Sequence, residues 1–219
     1  METLKLIKNH YFFSQPHQPF FVLAFSNAII SMFLFLLIFK GVIASSGIEG
    51  RLHHAYTMIY LLFTPAFIGF LFTTFPKFSG IEPIAPRQYL LAFGLFLIGS
   101  LFVYVGVLFS KNLANLGMLL VFVGHLGAVQ VLWYIHQNAT VTDKEDQQWI
   151  LIAMAFGWVA HLLFIIGIWL PFAYSLSIQC AVYLYLFLLT FTIAQRMLPF
   201  FSHAPIQKHK ERFNVIIGL

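Results

Sequence analysis

The twelve Lys and Arg residues and the seven Asp and Glu residues of this chain all stand outside six long apolar runs. Those runs cover about residues 20–39, 55–75, 89–109, 113–135, 147–170 and 174–194. A bilayer core about 30 Å thick takes about 20 residues at roughly 1.5 Å of rise each, so every run is long enough to cross. In lipid a lone segment must pair its own backbone N–H and C=O groups, which makes each run a helix. The pattern predicts an all-α, polytopic bundle of six transmembrane helices in which residues 1–219 form a single membrane domain. Composition agrees: 60% of residues are hydrophobic and 18% aromatic, which leaves too little polar surface to cover a water-soluble core.

The first run is too long for a signal-peptide core, and Ala44-Ser45-Ser46 after it is a poor cleavage signal, so it reads as a retained span. Span two is expected to leave the membrane through a turn at Pro76-Lys77-Phe78-Ser79-Gly80, and Lys111-Asn112 to make a tight turn. The tail turns apolar again over Phe213 to Leu219, like the beginning of a seventh span from 213. Lys5, Lys8, Lys77, Arg87, Lys144, Arg196, Lys208, Lys210 and Arg212 fall on one side of a six-span chain, against Lys40, Arg51 and Lys111 on the other. The bias places both termini in the cytoplasm.

Several function classes drop out. A single cysteine, Cys180, leaves no internal disulfide framework and no multi-cysteine cluster. The basic residues are scattered at the ends of apolar runs and form no stripe that would hold a nucleic acid. With no carboxylate inside a span, the chain lacks the charge-carrying group that an ion-coupled transporter normally places near the midplane.

Histidine is then the metal-ligand candidate. His125 and His161 lie near the middle of spans four and five, which run antiparallel and share one loop, so both imidazoles should reach a similar depth. Such a pair either holds the iron of a haem b between two helices, with Gly124 and Gly127 admitting a flat ring, or makes interhelical hydrogen bonds. At the start of span two, His54 and Met58 stand four residues apart on one helix face, and His53 precedes them. Imidazole with thioether suits Cu(I), and the plainer alternative is headgroup histidines beside a core methionine. His136, among Trp133, Tyr134, Gln137 and Asn138, reads as part of an interfacial belt, and His10, His17, His203 and His209 as water-exposed. No residue stands out as catalytic.

Four segments, in order along the whole chain, carry a resemblance: Pro16-His-Gln-Pro19-Phe-Phe, His54-Ala-Tyr-Thr-Met58, Gly69-Phe-Leu-Phe-Thr-Thr-Phe-Pro76-Lys-Phe-Ser-Gly80 and Arg196-Met-Leu-Pro199-Phe-Phe. Together they resemble the NnrS family of bacterial inner-membrane proteins. The resemblance implies a multi-pass protein of the bacterial inner membrane that contains haem and copper and acts in the response to nitric oxide, its ligand. It also implies a departure, since Tyr56 and Thr57 stand where the family usually has His and Glu, and His53 is the substitute ligand on offer. Members usually carry a further set of spans, so a second half-bundle is expected here from self-association or from a partner membrane subunit. Two other classes compete with this reading: an accessory subunit of a respiratory complex, and half of a small-molecule permease.

Overall fold

A computed structural model describes residues 11–45 and 48–202. The expectations for Lys5, Lys8, His10, His203, Lys208, His209, Lys210, Arg212 and a seventh span from 213 lie outside the described residues. After a short 3₁₀ turn at Tyr11–Phe13 come six helices: α1 (His17–Phe39), α2 (Gly50–Ser79), α3 (Pro86–Phe109), α4 (Lys111–Gln137), α5 (Glu145–Ile166) and α6 (Phe172–Leu198, with helix continuing to Ser202). All six are long and apolar enough to cross a membrane, and no strand occurs among the described residues. The expected all-α bundle of six spans is the observed fold.

Antiparallel crossing brings the start of α1 and the end of α6 to one face. There His17 bonds Thr73 of α2 at 3.2 Å, the Tyr89 hydroxyl of α3 donates to the Phe13 carbonyl, and His136 Nδ1 of α4 meets Gln147 Oε1 of α5 at 3.0 Å. Arg196 pairs with Asp146 at 2.5 Å and lies 4.3 Å above the Phe78 ring. His17 is thus a half-buried first residue of α1 rather than a water-exposed one. His136 lies in the last turn of α4, with its ring 5.9 Å from that of Trp133.

α2 is the central rod, with 56% of its apolar window buried against 28% for α1 and for α6. It is not uniform. Thr57–Phe63 is wound as a π-helix, in which the Thr64 N–H reaches back to the Ile59 carbonyl. A proline follows immediately in the sequence. Pro65 has no N–H, so the Leu61 carbonyl loses its α-helical donor, and a carbonyl left bare in a membrane must find another. Asn27 of α1 supplies it, donating from Nδ2 to the Leu61 carbonyl at 2.9 Å. Asn27's own carbonyl accepts from the Tyr104 hydroxyl at 3.1 Å, and Tyr104 meets Ser31 at 2.9 Å.

Three boundaries differ from expectation. α2 does not turn at Pro76 but continues to Ser79, because a proline in the last turn forfeits only one intrahelical bond. Gly80 closes it in the left-handed region at φ 68°, where a Cβ would lie 2.5 Å from Thr140 Oγ1. α5 stops at Ile166 rather than near 170, since the Tyr174 ring folds back onto Gly167, where a Cβ would meet it at 2.5 Å. The turn between α3 and α4 is Ser110 alone, in extended conformation, and Lys111 already opens α4.

α3 and α4 pack closest of all neighbours. A Cβ on Gly106 would lie 2.1 Å from the Ala114 nitrogen, and one on Gly117 would lie 2.6 Å from the Gly99 carbonyl oxygen and the Val103 nitrogen. These small residues let two backbones touch where lipid supplies no hydrophobic drive to hold helices together.

Candidate metal centre

The inner face of α2 carries His53, Tyr56, Tyr60 and Thr64, all buried and spaced three or four residues apart. Opposite them stand His161 of α5, His125 of α4, and Ser177 and Tyr185 of α6. This seam is where the sequence candidates meet. The His125 and His161 rings are fully buried, with centroids 5.9 Å apart and planes inclined at 44°. His161 stands only five residues before the end of α5 at Ile166, not near its middle, yet it still reaches His125 across the pair.

His161 is held on two sides. The Tyr60 ring stacks on it at 4.0 Å and 16°, and the Tyr56 hydroxyl lies 3.1 Å from its Nε2. Phe122 meets it edge-on at 5.5 Å. Tyr185 lies 5.8 Å from His125 and donates its hydroxyl to Thr64 at 3.1 Å. The Tyr185 ring itself rests on Gly157, where a Cβ would come within 2.7 Å. Ser177 donates to the Ala160 carbonyl at 2.6 Å, one residue before His161.

What the seam lacks is as informative. His125 Nδ1 and Nε2 and His161 Nδ1 are buried without a hydrogen-bond partner, as are both ring nitrogens of His53, Nδ1 of His54 and Nε1 of Trp158. Buried polar atoms are ordinarily paired, and each orphan costs about 1–3 kcal/mol. Neutral imidazole nitrogens without partners are also what a soft or borderline metal ion binds. Metal–nitrogen bonds of about 2.0–2.1 Å put two ligating nitrogens about 4 Å apart on opposite sides of an ion. Ring centroids 5.9 Å apart are slightly closer than that straight arrangement and suit two nitrogens meeting one ion at a bent angle. The pair offers two nitrogen donors to one ion, and no third His, Cys, Asp or Glu joins them among the described residues.

A model of the family described as NnrS protein matches residues 11–218. The chain belongs to the NnrS family. It is accordingly a multi-pass membrane protein of the nitric oxide response. No curated protein and no solved structure matches it.

In this NnrS-family chain the remaining candidates are spread rather than gathered. His53 faces the core, while His54, the next residue and so about 100° around the helix, is half-buried with its ring 4.6 Å from that of Phe35 on α1. Met58 is half-buried one turn further on. No three His, Cys, Asp or Glu side chains among the described residues come together as a metal-ligand set. The glycines beside His125 divide: a Cβ on Gly124 would sit 3.1 Å from Leu95 and Phe96, so Gly124 serves the contact with α3, whereas one on Gly127 would meet nothing within 4 Å.

Tyr56, Tyr60 and Tyr185 are the site residues that histidine spacing missed. Their signal was present. Membrane tyrosines gather at the two interfaces, whereas Tyr60 and Tyr185 lie inside apolar runs, and Tyr56 and Tyr60 continue the three- and four-residue spacing from His53 to Thr64 as a polar stripe.

Proposed function

We propose that this NnrS-family protein binds a transition metal between His125 and His161 and that the metal centre takes up nitric oxide. The observation that carries the reading is the pair of fully buried imidazoles, 5.9 Å apart, with three of their four nitrogens unpartnered. An uncharged, lipid-soluble gas can reach such a place through the bilayer, whereas a hydrated ion must shed its water at high cost. When bound, haem b or copper supplies d-orbitals that accept the gas as a ligand. The protein's own part is to hold His125 and His161 on adjoining helices, to fix the His161 ring against Tyr60, and to keep water out with Phe122, Phe164 and Tyr185.

Haem b is the group that the family resemblance favours for His125 and His161, with copper at His53, His54 and Met58. A specific observation favours a second arrangement, in which a copper ion occupies the histidine pair. The rings of Tyr56, Tyr60, Phe122 and Tyr185 press directly on the two imidazoles, so a macrocycle needs them to move and a single ion does not. We place the protein in the bacterial inner membrane with both termini cytoplasmic, and the little-buried α1 and α6 facing lipid, a second copy or a partner subunit. An absorbance spectrum with metal analysis of the purified protein tests the proposal. A Soret band supports haem, copper without a Soret band supports the second arrangement, and a colourless, metal-free protein overturns both.

A further inference from the structure

The metal proposal leaves open which nitrogen His161 offers, and the surroundings of that ring decide it. His161 has two nitrogens in unlike settings: Nε2 faces the Tyr56 hydroxyl at 3.1 Å, and Nδ1 is buried with no partner at all. Tyr60, stacked at 4.0 Å and 16°, holds the plane of the ring, and Tyr56 fixes its rotation within that plane. With plane and rotation both set, turning Nε2 toward a ligand would break its bond to Tyr56. We infer that Tyr56 is a positioning residue, which ties up Nε2 so that His161 presents Nδ1 to the metal.

The inference rests on the metal reading and deepens it. In the free protein Nε2 is engaged by the Tyr56 hydroxyl whichever of the two carries the shared hydrogen, and Nδ1 is left without a partner. With a metal on Nδ1 the ring's single proton sits on Nε2, and the Tyr56 oxygen accepts it. The phenol's own hydrogen then points away from the ring. Ligating histidines characteristically donate their second N–H to an oxygen partner, which fixes the tautomer and makes the ring a more basic ligand. Here a phenol 105 residues away in sequence fills that role, on the helix that also carries His53.

The test uses the full chain in mild detergent, titrated with Cu(I) and, separately, reconstituted with haem. Tyr56→Phe is expected to weaken uptake of whichever probe the wild type binds by about 10- to 100-fold. It should also raise the reduction potential of the bound centre, because the imidazole becomes less basic. Tyr56→Gln, whose amide oxygen can accept from Nε2–H, should recover part of both effects even if Tyr56→Phe proves unstable. Tyr104→Phe, which removes a buried phenol hydroxyl bonded to Asn27 and Ser31 rather than to His161, should keep both wild-type values. The inference is overturned if Tyr56→Phe and Tyr56→Gln bind with wild-type affinity and potential while His161→Ala loses the metal. A wild-type protein that takes up neither probe overturns the metal reading itself, and the role of Tyr56 with it.

Discussion

Asn27 on α1 donates to the carbonyl of Leu61 on α2 at 2.9 Å, and that carbonyl is the one Pro65 deprives of its helical donor. The relationship joins a local defect in one helix to a polar residue in another, inside a region with no water to fill the gap. Replacing Asn27 with Leu keeps the branched outline of the side chain and removes the donor. Polar bonds between membrane helices are worth about 0.6 kcal/mol on average and up to about 1.7, so a loss near the upper value is expected. In a Pro65→Ala background, where an N–H returns, the same substitution should cost less. Unfolding of the four proteins in mixed micelles measures the coupling, and strictly additive effects would refute the link.

His125→Ala and His161→Ala should each abolish metal uptake while the protein still accumulates in the membrane. Each replacement opens a cavity beside Tyr185 or Tyr60, so a fall in thermal stability is expected in the metal-free form as well. Equal metal content in wild type and both variants, measured by elemental analysis and absorbance, would return the pair to an ordinary packing role.

The close contact of α3 and α4 predicts a sharp contrast between glycines. Gly106→Val forces a side chain into the Ala114 backbone, and overpacking of this kind costs typically about 1–3 kcal/mol. Gly127→Val has open space before it and should leave stability nearly unchanged. Thermal denaturation in detergent checks both, and similar losses at the two sites would contradict the packing described.

Charge bias predicts the orientation. Single cysteines introduced at Gly41 or Lys111, in a Cys180→Ser background, should react with an impermeant thiol reagent added to intact cells, and cysteines at Lys77 or Lys144 should not. The opposite pattern would invert the bundle and put His53 on the cytoplasmic side.

Much of the fold was legible in the sequence because exclusion of charge from apolar runs is a simple, long-range rule. It gave six helices with ends displaced by a few residues. The displaced ends have local causes that hydropathy does not encode: Gly80 seated against Thr140, and the Tyr174 ring lying on Gly167. The site was legible in part. His125 and His161 could be paired from the antiparallel arrangement of their helices, since the two spans share one loop. Tyr56 could not be joined to His161 in the same way, because it comes from a helix distant in sequence. Nor does the spacing of His54 and Met58 show that His54 packs on Phe35, for which the position of α1 is needed.

The π-helical stretch at Thr57–Phe63 also acts as a register device. A wide turn accommodates one residue more than an α-turn, so everything after it is rotated by about 100° relative to a straight helix. Gly69 meets Phe20 of α1 so closely that a Cβ there would lie 2.6 Å from the Phe20 Cβ, and this fit holds only in the rotated frame. Deleting any one residue between 57 and 63 would let the stretch relax to ordinary α-helix and gain regular hydrogen bonds locally. It would also swing Gly69 off Phe20 and take Thr64 away from Tyr185, or else turn His53 and Tyr56 out of the seam. The two halves of α2 are thus indexed to different neighbours, and its length is fixed to the single residue.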